Sequence, residues 1–407
     1  MSLIVQKFGG SSVADAHHLF NVAKKVTDMY SKNNDVVVVV SAQGDTTDHL
    51  LESAYEVNST PPLREMDAFL SAGEQMSASL LAMAISKIGF PAISLTGWQA
   101  GFNTDSYHGN AQITDITTDR IKKELAKKNI VIISGFQGID KIGDITTLGR
   151  GGSDTSAVAV AAALNADLCK IYTDVDGVYT ADPRIVSGAK KLKTISYYEM
   201  FELSKYGAQV LNDRSISTAQ KYNVEVEVLS SMSDNIPGTI VKNIPKKSSH
   251  CIVGISSLNN LVKITISNFF DHCLFNEKII PELKACGITI DNLLIPIGPS
   301  SKQNFVFTVF ENQLSESLRI LEKFFNDDSE NQIYYEKNKS KISVINLEEN
   351  ININIASIIF EALSETEINI EMVACNTGRV SIIVEQNNTH TALNAIHNKL
   401  FEEDNLL

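Results

Sequence analysis

Positive charge is scarce in this chain. Its 407 residues hold 35 Lys and Arg against 48 Asp and Glu, a formal charge of −13. That balance argues against nucleic acid or an anionic membrane as the main partner, while a locally basic pocket for a small anion stays open. Cysteine is sparse and scattered, at Cys169, Cys251, Cys273, Cys286 and Cys375. An odd count with no CxxC or CxxH spacing speaks against a disulfide frame and a zinc site, and predicts reduced thiols in a cytoplasmic protein. The first residues, MSLIVQKFGG, lack the apolar core of a secretory signal. No apolar run approaches the roughly 18 residues of a membrane span, so no membrane role is expected.

Several motifs are missing as well. There is no GxxxxGK[ST] run, which excludes a P-loop enzyme. Protein-kinase HRD and DFG signatures are absent, and so is a GxSxG elbow. The run GRGGSD does not supply a GxGxxG dinucleotide fingerprint.

What is present is strand–helix alternation over the first 240 residues. Leu3–Phe8 reads as a strand, and Val36–Val40 is a continuous β-branched run, as a parallel strand buried on both faces requires; Ile130–Gly135 and Leu168–Asp174 look similar. Helical patterns fall between them, up to about Tyr30 and over Met66–Lys87, Asp119–Lys128 and Ser153–Asn165. This alternation predicts an α/β layered domain with a mostly parallel sheet. A Pro-, Gly-, Lys- and Ser-rich stretch, Ser233–His250, marks a domain edge.

Beyond it the chain repeats itself. Leu261–Ser267 corresponds to Ser340–Asn346, Ile279–Ile295 to Ile358–Ala374, and Phe305–Phe310 to Arg379–Glu385. The offset of about 78 residues is too long for a solenoid repeat of about 20–50 and fits two small βαββαβ domains. The expected organisation is an α/β domain over 1–240, a linker over 241–250, and α+β domains over 251–330 and 331–407.

Three Gly-rich segments follow strand ends, where open α/β sheets place ligands. KFGGSSV (Lys7–Val13) offers backbone amides and a lysine to an anion. GRGGSD (Gly149–Asp154) offers an arginine fork and a helix start; a capped helix after a flexible loop would explain Ser153 and Asp154 but not the Gly-Arg-Gly-Gly run. TDVDGVYTADPR (Thr173–Arg184) could frame a nucleotide or form a solvated loop.

These segments, together with VVVVVSAQGDTTDHL, PPLREMDAFLSAGEQMSASLLAMA and ISLTGWQAG, resemble the aspartate kinases of the amino-acid kinase superfamily. The likeness runs from Lys7 to about Thr239. The repeat over Cys251–Leu407 resembles the paired ACT regulatory domains of that family. The resemblance implies a three-layer amino-acid kinase domain followed by two ACT-like domains. It also implies transfer of the ATP γ-phosphate, with Mg²⁺, to the side-chain carboxylate of aspartate. A carboxylate is ionised at neutral pH and needs no general base, so none of the eight histidines needs a catalytic role. Anion must meet anion, and positioning with cations carries the catalysis.

By the same resemblance Lys7, with Phe8, Gly9 and Gly10, holds the transferred phosphoryl group, and Asp154 orients the cationic contacts. Arg150, with Gly151 and Gly152, grips the α-carboxylate. Glu74 receives the α-ammonium, with Ser41, Thr47 and Ser153 nearby. Thr173, Asp174, Tyr179 and Arg184 line the nucleotide site. A homodimer through the ACT-like domains is implied.

Two departures stand out. Where the family reads GAKVLHP, this chain reads GAQVLND, so Gln209 replaces a phosphate-contacting lysine and Asn212-Asp213 replace His-Pro. A slow kinase is expected, with Lys205 as a conceivable substitute charge. The ACT-like turns Asn268–Asn276 and Asn346–Asn354 lack the Gly and Pro of effector-binding members, which predicts weakened lysine or threonine feedback. Two other readings remain open: a kinase for another carboxylate acceptor, and a catalytically weak binding protein.

Overall fold

The structure, a computed structural model, describes residues 2–208, 210–233, 236–244, 252–269, 275–294, 303–325, 332–346 and 352–401. They group into two compact units, 1–179 with 191–248, and 180–190 with 249–407.

The first unit is built on an eight-stranded sheet. Its members in chain order are β1 (Leu3–Phe8), β2 (Asp35–Val40), β3 (Ala92–Leu95), β6 (Ile130–Ser134), β9 (Leu168–Thr173), β10 (Thr194–Ser196), β11 (Val226–Ser230) and β12 (Thr239–Lys242). A separate four-stranded sheet holds β4 (Phe102–Thr104), β5 (Ile113–Ile116), β7 (Gln137–Ile139) and β8 (Ile145–Thr147). The large sheet runs β10-β12-β11-β9-β1-β2-β6-β3, and every pairing but β11 with β12 is parallel. The mostly parallel α/β expectation therefore holds.

The valine run explains the layering. Val36 through Val40 are wholly buried, which a strand achieves only with cover on both faces. Val36, Val38 and Val40 pack with Leu19, Val22 and Val26 of helix α1 (Ala16–Ser31) and with Leu81 and Ile85 farther along the chain. Val39 points the other way, beside Gly135 and Ser153. Helices α2 (Thr46–Val57), α3 (Leu63–Leu70), α4 (Ala72–Lys87), α5 (Asp119–Ala126), α6 (Gly152–Leu164), α7 (Tyr197–Lys205) and α8 (Asp213–Tyr222) complete the unit. The expected helix over Met66–Lys87 is interrupted at Ser71. The run Leu63–Lys87 is long and apolar enough to cross a membrane by composition alone, yet half of its most apolar window is buried in the fold.

Central β1 places the KFGG segment at the middle of the sheet's C-terminal edge. Helix α6 follows the GRGG segment and is apolar on all sides, with Ala157, Val158, Val160 and Ala161 buried. A helix with no polar face belongs inside a domain.

The second unit is a six-stranded antiparallel sheet of β13 (Ile252–Phe269), β14 (Asp291–Leu294), β15 (Gln303–Phe310), β16 (Gln332–Asn346), β17 (Met372–Asn376) and β18 (Arg379–Glu385), in the order β14-β15-β13-β16-β18-β17. Helices α9 (Ile280–Ala285), α10 (Leu314–Phe324), α11 (Asn352–Ser364) and α12 (Thr389–Phe401) accompany it. The repeat is real but interlocked. The later half of β13 pairs with β15 and with the early half of β16, while the early half of β13 pairs with the later half of β16. Each long strand thus serves both copies. Both bend at an asparagine with positive φ, Asn260 and Asn338, which tolerate that conformation and share the repeat's offset.

The segment Thr180–Lys190 belongs to this unit. Ala181 and Val186 lie in its core with Ile355, Ile359 and Leu393. Thr180 bonds His397 Nε2 at 2.9 Å, its carbonyl accepts from Ile255 N at 2.7 Å, and Asn394 donates to the Ile185 carbonyl at 3.0 Å.

Candidate active site

Three backbone turns meet above β1. Ser41 N donates to the Phe8 carbonyl at 3.1 Å, and Gly44 N to the Gly10 carbonyl at 3.0 Å. A Cβ on Gly10 would fall 2.7 Å from the Ala42 carbonyl oxygen, so no larger residue fits there without moving backbone. Gly135 N donates to the Val40 carbonyl at 3.0 Å, and a Cβ on Gly135 would lie 2.8 Å from the Ser153 side chain. The first turn, the Ser41–Gly44 turn and the head of α6 are therefore packed into one wall.

Lys7 and Asp154 form the central pair. Lys7 Nζ lies 2.7 Å from Asp154 Oδ1, with both side chains nearly buried. Phe8 stacks on Tyr172 with ring centres 4.5 Å apart, which fixes the end of β1 against β9. The Lys7 ammonium thus sits beside the Gly9-Gly10 turn and at the first turn of α6, where backbone N–H groups add positive potential.

Glu74 is the most perturbed acid of this wall. It is 4% exposed. Its Oε1 accepts from Ala42 N at 3.1 Å, and its Oε2 is buried with no partner among the described residues. Burial pushes its carboxyl up to about 7, against weaker lowering by the Ala42 amide. A half-satisfied buried carboxyl is a socket for a cation.

Arg150 is exposed and forms no ion pair among the described residues. Its loop enters α6 through Gly151 at φ 69°, with Gly152 and Ser153 buried behind it. Thr47 lies in the first turn of α2, partly exposed. Thr173 ends β9 and donates to Asp174 Oδ1 at 2.9 Å. The Tyr179 hydroxyl donates to Asp176 at 2.8 Å, and burial with that carboxylate raises its pKa. Arg184 lies in the second unit, where its guanidinium pairs with Asp182 at 2.8 Å.

Gln209 lies outside the described residues, as do Phe270–Leu274 and Leu347–Ile351 within the two ACT-like turns. Lys205 ends α7 with its ammonium 5.9 Å from the Phe201 ring centre and 5.6 Å from that of Tyr206. Asn212 caps α8 and reaches the Arg150 loop. Sequence reasoning missed Asp67, buried in α3, which accepts from Gly109 N and from the Thr147 hydroxyl. No local pattern marks it, because its partners, His108 and Gly109 in one loop and Thr147 at the end of β8, are distant in the chain.

Residues 2–230 match the amino acid kinase family and residues 342–400 an ACT domain family. The chain is 42% identical to an aspartokinase of Geobacillus stearothermophilus over 98% of its own length and 97% of that protein's. The chain belongs to the aspartokinase family. It is thus a kinase. Identity to the aspartokinase of Corynebacterium glutamicum is 41%, over 98% of this chain and 96% of that one. The fold agrees with that of E. coli aspartokinase III in complex with aspartate and ADP, with TM-score 0.80 at 22% identity over 98% of this chain and all of that one.

Proposed function

We propose that the chain transfers the γ-phosphoryl group of ATP to the side-chain carboxylate of L-aspartate, yielding ADP and 4-phospho-L-aspartate. The observation that carries this reading is the Lys7–Asp154 pair set between two glycine turns, with the half-satisfied Glu74 carboxyl in the same wall. A carboxylate oxygen of aspartate attacks the γ-phosphorus; one P–O bond forms and the bond to the β-phosphate oxygen breaks. No proton moves, so no base is needed.

Lys7, the Gly9 and Gly10 amides and the start of α6 oppose the accumulating negative charge. Asp154 fixes the Lys7 ammonium. Ionised Glu74 takes the substrate α-ammonium, and Arg150 forks onto the α-carboxylate. Ser41, Thr47 and Ser153 complete the acceptor side, and Thr173, Asp174 and Tyr179 the nucleotide side. Magnesium would come bound to ATP and offset the charge of its phosphates, and Asp174, exposed at the strand end, is the carboxylate that would help to hold it.

The turns without Gly or Pro support weakened control by lysine or threonine. Half-inhibition by either at sub-millimolar concentration would refute that. A homodimer through the ACT-like unit and a cytoplasmic location complete the reading; light scattering tests the first.

Hydroxylamine trapping with ATP, Mg²⁺ and a panel of carboxylic amino acids tests the activity. Hydroxamate from aspartate alone is expected. Hydroxamate from a different acid, or none from any acid despite measurable ATP binding, overturns the proposal.

A further inference from the structure

The loop Gly149-Arg150-Gly151 carries an exposed arginine on a glycine-rich backbone. Such a loop has many conformations to lose, and an arginine fork is useful only when its base is fixed. The structure holds this loop from outside, by the start of α8.

Asn212 has two roles there. Its Oδ1 accepts from Arg214 N at 3.0 Å, capping the helix. Its Nδ2 donates to the Arg150 carbonyl at 3.1 Å. Gly151 makes this approach possible, since a Cβ there would lie 2.3 Å from Asn212 Nδ2. Arg214 grips the other side of the loop. Its Nη1 donates to the Leu148 carbonyl at 3.0 Å, and its Nη2 donates to Asn110 Oδ1. Asn110 follows Gly109, whose amide donates to buried Asp67 at 3.0 Å. Thr147, directly before Leu148, donates to the same carboxylate. Both grips therefore end on a buried anchor.

We propose that Asn212 and Arg214 are positioning residues for the acceptor amino acid. They set the Arg150 backbone so that its guanidinium meets the substrate α-carboxylate, and neither touches substrate. This rests on the reading of Arg150 given above. It also assigns the Asn212 exchange to the acceptor side of the site, beside Arg150.

Three single variants and one double variant test it. Asn212→Asp keeps the cap oxygen and is an equally good N-cap, but it has no donor for the Arg150 carbonyl. Arg214→Gln loses the double grip without adding negative charge. Each raises the aspartate KM by about tenfold, the worth of one hydrogen bond, with the ATP KM and the melting temperature unchanged. The double variant falls short of the product of the two effects, because both act on one loop. Arg150→Ala separates the layers. If it leaves the aspartate KM unchanged, the reading of Arg150 fails. If it raises that KM while Asn212→Asp and Arg214→Gln do not, the positioning role fails. A parallel rise in both KM values with a lowered melting temperature also overturns the role, since general loosening of the fold would explain it.

Discussion

Glu74→Gln should make the protein more stable and the enzyme worse, and only above a definable pH. The Glu74 carboxyl is buried, uses one oxygen on the Ala42 amide, and has its pKa pushed from 4.5 up to about 7 by burial. An acid whose folded pKa lies above its unfolded value binds more protons when folded. Stability therefore falls as pH rises from 4.5 to about 7, and the penalty is complete above that window. A shift of this size corresponds to about 3 kcal/mol. Glutamine keeps an acceptor for the Ala42 amide and carries no charge. Denaturant unfolding without substrate should show the variant more stable by up to about 3 kcal/mol at about pH 8 and equal to the parent at about pH 4. The aspartate KM should rise by at least about 10²-fold near pH 8, since a desolvated charge pair is lost. In the parent, kcat/KM for aspartate should climb with pH to about 7 as Glu74 ionises. A stability difference that does not depend on pH, or a variant less stable at about pH 8, would refute the reasoning.

Three further outcomes are expected. Lys7→Ala should lower the hydroxamate rate by about 10²–10³-fold and also destabilise the fold, because Asp154 loses its 2.7 Å partner; adding Asp154→Asn should restore the melting temperature but not the rate. Gln209→Lys, which restores the lysine that the family resemblance implies at this position, should raise kcat, and steady-state kinetics without a gain would show a site organised in another way. In the second unit, burial pulls the Glu371 carboxyl up, but hydrogen bonds from Lys263 and Lys339 outweigh it and leave it below the usual range. Its stabilisation is thus present above the ordinary carboxylate pKa and lost as pH falls through the depressed value. Glu371→Gln takes one of three carboxylates from Lys339, 1% exposed, which keeps Glu336 and Glu385, and should cost about 1–3 kcal/mol at neutral pH; the gap should close in acid, as read by chemical denaturation.

The layers of the first unit were legible because burial on both faces leaves a local mark. Val36–Val40 and the Ala-Val run of α6 are apolar without interruption, and each is a central element. The candidate site was legible where glycine was forced, as at Gly10 under the Ala42 carbonyl and Gly151 under Asn212. Helix α7 escaped notice although its signal was present: Ser196 and Glu199 form a reciprocal capping box. Other features carry no local mark at all. A strand's period tells which face is buried but not which strand lies beside it. The exchange of partners between β13 and β16 could not be read from the repeat, which predicts two self-contained copies. The same limit applies to Thr180–Lys190. Read along the chain, it continues the nucleotide segment, yet Ala181 and Val186 sit in a core built with residues such as Ile359 and Leu393. Arg214 shows the limit most sharply. As the second residue of a polar helix it is an ordinary surface arginine, and only the fold brings Leu148 and Asn110 to its two nitrogens. Asn212 and one arm of Arg214 act through backbone carbonyls, which every residue possesses. Those partners leave no side-chain signature for a sequence reading to find, and Asn110, the other partner of Arg214, lies 104 residues away in the chain.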